Sequence, residues 1–335
     1  MPERRPLIDV HVHLAGVGTQ RSGCWVSPRF RRRFTFLGLR LAYRITAEQM
    51  RSTVDQDWAA MIAERVHQSD LDCAVVLGFD GVYHPDGSLD TERSQMIVPP
   101  SWVFQVCSRY RNLLPAPSIN PFRADAMERL EESIERGAVM IKWLPIVQDI
   151  DTADPRIQPF YTRLADAGIP LLIHAGTGEV TFRTVAPRHR PVRILEPALR
   201  AGVKVICAHS AARIHLSREP DQRPELRALL QRFPNLWVDN SGLANTSRFR
   251  HLPALARDPL IRDRTLHGSD FPVPTSAVFY TARLGPRRVA RIERERNKLQ
   301  RDLLIKRALG FDDESFTRAS EVLANLDRWT SVAAR

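Results

Sequence analysis

The sequence lacks the marks of several large protein classes. Its 335 residues hold only four cysteines, Cys24, Cys73, Cys107 and Cys207, widely spaced and without a CxxC pair. That excludes a small disulfide-stapled scaffold and fits a chain kept reduced. No run of about eighteen apolar residues occurs, so neither a membrane span nor a membrane partner is expected. The N-terminus has no charged segment followed by an apolar one, and a cytoplasmic location is the expectation. No glycine-rich phosphate loop follows the first apolar strand, which argues against a doubly wound nucleotide-binding sheet. Neither a zinc-finger nor an RNA-binding signature accompanies the net charge of +11, so no specific nucleic-acid partner is expected. Internal repeats, low-complexity tracts and linkers are also missing, and residues 1–335 read as one domain.

What is present is a regular alternation. A strand begins at Leu7, with Ile8 and Val10 apolar, and delivers His11 and His13. Further apolar strands are predicted over residues 71–78, 113–120, 138–145, 169–176, 203–209, 236–240 and, briefly, 265–268. Helical patterns fall between most of them: one starting at Thr46 and running through Val66, then 102–109, 124–136, 158–167, 194–200 and 226–231. Continuous apolar strands separated by helices imply a parallel sheet covered on both faces. Eight of them make the fold class α/β, a (β/α)8 barrel. Two segments stand outside the alternation. Residues 14–45, with the basic aromatic cluster Arg29 to Phe34, form a long loop after strand one. Residues 277–309 and 316–329 supply extra C-terminal helices, the first rich in arginine with Glu293 and Glu295 interleaved, which reads as a solvated face.

The polar residues are placed more tellingly than they are numerous. His11 and His13, two apart on a strand, point to the same side. Two fixed imidazoles at that spacing are natural ligands for zinc or another divalent metal, although the pair alone also occurs on exposed edge strands. His174, His209 and Asp270 each stand at or just beyond the end of an apolar strand. In a parallel barrel those ends open on one face, where active sites are built. His267, on strand eight before Asp270, is read as a packing residue. Asp9 is expected near the site but turned away from His11, in a structural or a chemical role.

With Ile8-Asp9-Val10-His11-Val12-His13, Leu172-Ile173-His174-Ala175-Gly176, Cys207-Ala208-His209 and Gly268-Ser269-Asp270-Phe271-Pro272 in this order, the sequence resembles the amidohydrolase superfamily. Within it, the closest resemblance is to the amidohydrolase-related TIM-barrel metal-dependent hydrolases, a branch that includes aminocarboxymuconate-semialdehyde decarboxylase-like enzymes. The resemblance implies that His11, His13, His174 and Asp270 bind a metal, and that His209 is a catalytic histidine or a ligand of a second ion. Lys142, on strand four, is either a carbamylated bridge between two metals or a plain lysine that binds an anionic substrate. The expected cofactor is therefore a divalent metal, most simply zinc, one or two ions per chain.

The chemistry expected of such a site is hydrolysis of an amide, ester or lactone in a small anionic molecule by a metal-activated water. Asp270 would move the proton, and His209 would polarise the scissile carbonyl. Decarboxylation or hydration of a carboxylated ring or dienoate is the alternative. Arg183, Arg188, His189 and Arg190 after strand five, with Arg213 and His215 after strand six, border the expected site and offer cations for a carboxylate. The oligomeric state is left open, with a homo-oligomer compatible.

Overall fold

The computed structural model describes residues 4–215 and 217–330. The eight expected strands form: β1 (Ile8–His13), β2 (Cys73–Leu77), β3 (Leu113–Ala116), β4 (Ile141–Trp143), β5 (Leu171–Ile173), β6 (Val205–Cys207), β7 (Leu236–Asp239) and β8 (Thr265–Leu266). All pair in parallel with their sequence neighbours, in one ladder of β1 to β3 and another of β4 to β8. The ladder does not close by itself. Individual backbone hydrogen bonds span the two seams, from Val139 N to the Pro115 carbonyl (2.9 Å) and from His13 N to the Phe271 carbonyl (2.8 Å). The fold is a (β/α)8 barrel. Its strands are short and almost wholly buried because helices cover their outer faces and side chains fill the interior.

Why the helices form is plain in α2 (Val54–His67). Trp58, Ile62 and Val66 recur every four residues and are buried. Asp55 and Asp57 lie in its first turn, and Arg65 and His67 in its last, matching the helix dipole. At the other end of the chain, α3 (Lys298–Leu309) packs a buried ion pair, Lys306 with Asp302, against the barrel. Lys306 also donates to the Gly268 carbonyl at 2.6 Å, which fixes the backbone beyond β8. No helix among the described residues is long and apolar enough to cross a membrane.

Two expectations need correcting. The connection over residues 14–45 is not structureless. It carries a two-residue strand, Trp25–Val26, paired antiparallel with Met96–Ile97, a short helix at Pro28–Arg31, and the nine-residue helix α1 (Phe34–Ala42). Asp55, itself buried, organises the start of this segment by accepting from Val17 N, Gly18 N and the Ser22 hydroxyl. The periodic signal was weak because α1 has no buried residue. Toward the C-terminus, the single helix expected over 316–329 is three short ones, Asp313–Thr317, Ala319–Val322 and Leu326–Thr330.

His267 packs, as its position implied: it is fully buried against Phe316, ring centroids 5.1 Å apart, and neither ring nitrogen has a hydrogen-bond partner. Burial, with the charges of Lys306 and Arg307, holds its pKa well below the usual histidine value. Below about pH 6.5 the unfolded chain therefore binds a proton that the native chain refuses, and stability falls with falling pH. His267→Leu, close in volume, is expected to flatten that loss by up to one proton, about 1.4 kcal/mol per pH unit. Urea melts at pH 5 and pH 7 check this; an unchanged slope would remove His267 from the acid response.

Candidate active site

The strand ends converge. His11 and His13 come from β1, Lys142 from β4, His174 from the residue after β5, His209 from just beyond β6, Asp239 from the end of β7, and Asp270 from beyond β8. His11 lies 5.1 Å from both His13 and His209 between ring centroids, and His209 lies 5.0 Å from His174. Asp270 Oδ1 is 3.0 Å from His13 Nε2 and 3.5 Å from His11 Nε2. All but His13 are buried or nearly so. Close approach is built into the backbone. Asp270 has a φ of +64°, and His209, Ser210 and Ala211 run at +56°, +49° and +52°, a left-handed path that non-glycine residues take only under constraint. Facing Asp270, Gly242 is at φ +62°, and a Cβ there would run into the Asp270 carboxylate.

Among the described residues, two groups bring three metal-ligating atoms together: His11, His13 and Asp270, and His11, His209 and Asp239. Hydrogen bonds decide between them. Asp239 Oδ2 accepts from His11 Nδ1 at 2.8 Å. Its Oδ1 accepts from His209 N at 2.7 Å, Ser241 N at 3.0 Å and the Ser241 hydroxyl. His209 Nδ1 donates to the Ser241 carbonyl at 3.0 Å. These bonds assign the Nδ1–H tautomer to both imidazoles, so each presents its Nε2 as a lone pair. The donors of the second group are thus already spent on one another, whereas the first group holds a single bond, between His13 Nε2 and Asp270 Oδ1 at 3.0 Å, and keeps the His11 Nε2 lone pair free. His174 stands in neither group, but its Nε2 is buried without a partner.

Electrostatics follow from burial. Desolvation lowers His11, His174 and His209, the last to about 3, so all three are neutral at neutral pH. Burial alone would raise Asp239 and Asp270, yet the surrounding imidazoles and their hydrogen bonds hold both well below the carboxylate range. Burial pushes Lys142 down to about 8. Asp9 lies outside the cavity: its Oδ1 accepts from His11 N and Ser269 N, both at 2.9 Å. Those two bonds tie β1 to the segment after β8, across an irregularity in β1 register between Asp9 and Val12.

Above these residues opens a cavity of about 520 Å³. Its walls are mostly apolar, with Phe30, Phe36, Leu39, Trp58 and Phe182 among them. None of Arg183, Arg188, His189, Arg190, Arg213 or His215 lines it. Arg188 and Arg190 are instead engaged by Asp149 and Glu219, and His215 stacks on His251. The cations that do reach the cavity near the histidines are Lys142 and Arg248. Arg248 is buried and held by the Ala212 carbonyl, the Thr177 hydroxyl and the Gly178 carbonyl, all uncharged. The sequence reading missed Asp239, Ser241 and Arg248. Asp239 carried the same signal as its neighbours, a charged residue closing an apolar strand; Arg248 lies in a loop and carried none.

A family model described as amidohydrolase matches residues 8–302. No curated protein matches the chain. Among solved structures, an uncharacterised TIM-barrel protein from Bordetella bronchiseptica has a TM-score of 0.57 at 18% identity, over 98% of this chain and 99% of its own. A putative 2-pyrone-4,6-dicarboxylic acid hydrolase from Pseudomonas putida gives 0.55 at 15%, over 98% of each chain. The 5-carboxyvanillate decarboxylase of Sphingomonas paucimobilis gives 0.52 at 12%, over 93% of this chain and 99% of its own. At these identities the likeness is one of fold.

The role of Asp239 in fixing tautomers is testable. In Asp239→Asn the oxygen side keeps the three donors at Oδ1, and the amide then faces His11 Nδ1. His11 must move its proton to Nε2, which blocks that lone pair. The variant is expected to fold and to lose metal affinity roughly ten- to a hundredfold, as read by metal content after dialysis against graded chelator. Equal retention by both proteins would show that Asp239 does not orient the donors.

Proposed function

The chain belongs to the amidohydrolase family, and on that premise we propose that it is a metal-dependent hydrolase opening an ester, lactone or amide bond of a small carboxylated molecule. The supporting observation is a buried cluster of ligand atoms around one carboxylate oxygen. His11 Nε2, left without a proton by the bond from Nδ1 to Asp239, faces Asp270 Oδ1 at 3.5 Å, and His13 Nε2 lies 3.0 Å from the same oxygen. A lone pair set against a buried carboxylate is relieved by a cation between them, and His13 joins as a ligand by giving up the Nε2 proton it otherwise shares with Asp270. The orphaned His174 Nε2 adds a fourth donor. In this reading His11, His13, His174 and Asp270 hold the ion, and a set of imidazoles with one carboxylate suits zinc.

A divalent cation bound there would supply Lewis acidity to water and to the scissile carbonyl. The protein's own groups do the rest. Asp270, kept ionised by its imidazole neighbours, takes the proton of the attacking water and returns it to the leaving oxygen or nitrogen. His209, neutral and fixed by Ser241, presents Nε2 to the reacting centre as a hydrogen-bond acceptor or as a ligand of a second ion, and with no proton there it does not polarise the scissile carbonyl as its sequence position suggested. Arg248 and Lys142 bind the substrate carboxylate, and the apolar walls exclude bulk water and strengthen those contacts. Lys142 has the competing role of a carbamylated bridge, for which its lowered pKa is also suited.

Decarboxylation is the second reading. It draws support from cations that would hold a carboxylate beside the ligand cluster and from the similar fold of the 5-carboxyvanillate decarboxylase. Turnover in ¹⁸O-water separates the two: label in the product favours hydrolysis, and carbon dioxide release without label favours the lyase.

Asp270→Asn is expected to lower kcat roughly 10²- to 10⁴-fold with the fold intact; wild-type rates would sink the assignment. Arg248→Gln should raise KM for carboxylated substrates roughly ten- to a hundredfold while changing kcat little. Metal analysis of wild type and Lys142→Ala decides the remaining role. One ion per chain in both proteins makes Lys142 an anion anchor, and two ions falling to one make it a bridge.

A further inference from the structure

We propose that the outer face of α1 docks on an anionic lipid bilayer, so that the mouth of the cavity opens at the membrane surface. Phe34, Leu37 and Leu41 are 77%, 48% and 82% exposed. At spacings of three and four residues they form one stripe along the helix. Val180, 43% exposed, extends the patch, since Thr35 donates to the carbonyl of the adjoining Thr181 at 3.1 Å. These are four of the six large apolar side chains that the described residues leave exposed.

The rim of the patch is of one charge. Between residues 10 and 47 there are seven arginines and no aspartate or glutamate. Arg29, Arg31, Arg32 and Arg44, close to the stripe in sequence, are exposed, and the ion pairs among the described residues include none of them. An apolar stripe bordered by unpaired cations is the composition of an interfacial helix, whose apolar face enters the headgroup region while its cations meet anionic lipid. A second copy of the chain fits poorly, because a two-fold contact through this patch would oppose two arginine rims.

The same helix joins that surface to the cavity. Its inner side, through Thr35, Phe36 and Leu39, lines the cavity wall, and Phe34 and Val180, exposed as they are, also line it and so join the outer patch to the cavity mouth. It is held from below by Phe36 against Phe30 (ring centroids 5.9 Å), which itself stacks on Phe182 (4.9 Å), and by the Thr35 bond. Docking would set an apolar cavity against the bilayer and admit substrates with an apolar body directly from it. This inference does not depend on which bond the site breaks.

The test is flotation of the purified full chain with vesicles of phosphatidylcholine alone and of phosphatidylcholine mixed with phosphatidylglycerol, at low and physiological salt. Binding to the mixed vesicles and not the neutral ones is expected, weakening as salt rises. Phe34→Asp combined with Leu41→Asp should reduce it at least roughly tenfold, whereas Arg287→Glu with Arg288→Glu, exposed on the helix Pro286–Glu293, should leave it unchanged. No flotation of the wild type with anionic vesicles at low salt overturns the proposal, whether or not the variants fold. Equal flotation of the double aspartate variant overturns it too, since general basicity would then suffice. If the wild type ignores vesicles and those aspartates turn a dimer into a monomer by light scattering, a second copy covers the patch and the proposal fails.

Discussion

Asp239 holds its carboxylate fully buried and accepts four hydrogen bonds, from His11, from the backbone of His209, and from the backbone and hydroxyl of Ser241. A buried charge is tolerable only when it is satisfied in this way. Because each donor sits at the end of a different strand or in the turn after one, satisfying Asp239 requires β1, β6 and β7 to end at the same level. It also requires the His11 imidazole to carry its proton on Nδ1, while the Ser241 carbonyl, beside the same turn, takes that of His209. Removing this acceptor would loosen the mouth of the barrel and scramble which nitrogens face the cavity.

Asp9 does related work one layer below. Its two backbone bonds join β1 to the segment after β8, beside a seam that the strand ladder leaves open. Lys306 reinforces the same place from outside through the Gly268 carbonyl. Asp270 therefore projects from a backbone clamped on both sides, which is how a residue at φ +64° is kept in place. The left-handed run at His209 to Ala211 is held comparably, through the bond from His209 N to Asp239 and that from the Ser210 hydroxyl to the Asp239 carbonyl at 2.7 Å. Strain is concentrated in the reactive layer and carried by the apolar barrel beneath it.

The cavity adds a second constraint, on the ligand. Arg248 and Lys142 bring charge to the end near the imidazoles, and most of the remaining wall is aromatic and aliphatic, with Glu179, Arg40 and Lys298 also on it. An amphiphilic molecule with a carboxylate at one end suits such a shape, and an apolar opening beside α1 suits its delivery.

Much of this was legible from the chain alone. The eight strands could be read because each is a continuous apolar run with a helix on either side, a local pattern that burial on both faces imposes. His11, His13, His174, His209 and Asp270 stood out because a polar residue ending such a run has few other reasons to be there. Asp239 obeyed the same rule and was passed over. The secondary structure within residues 14–45 was hidden, since the apolar stripe of α1 faces outward and its other side is only half-buried, so core burial does not mark the helix. Composition and local periodicity fixed the barrel and the side of it that matters. Which nitrogen each imidazole offers, that His11, His13 and Asp270 bring their ligand atoms together with His174 beside His209, that Arg248 rather than the arginines after strand five reaches the cavity, and that α1 turns leucine and phenylalanine outward depend on contacts between residues up to 260 positions apart, and no local pattern encodes such contacts.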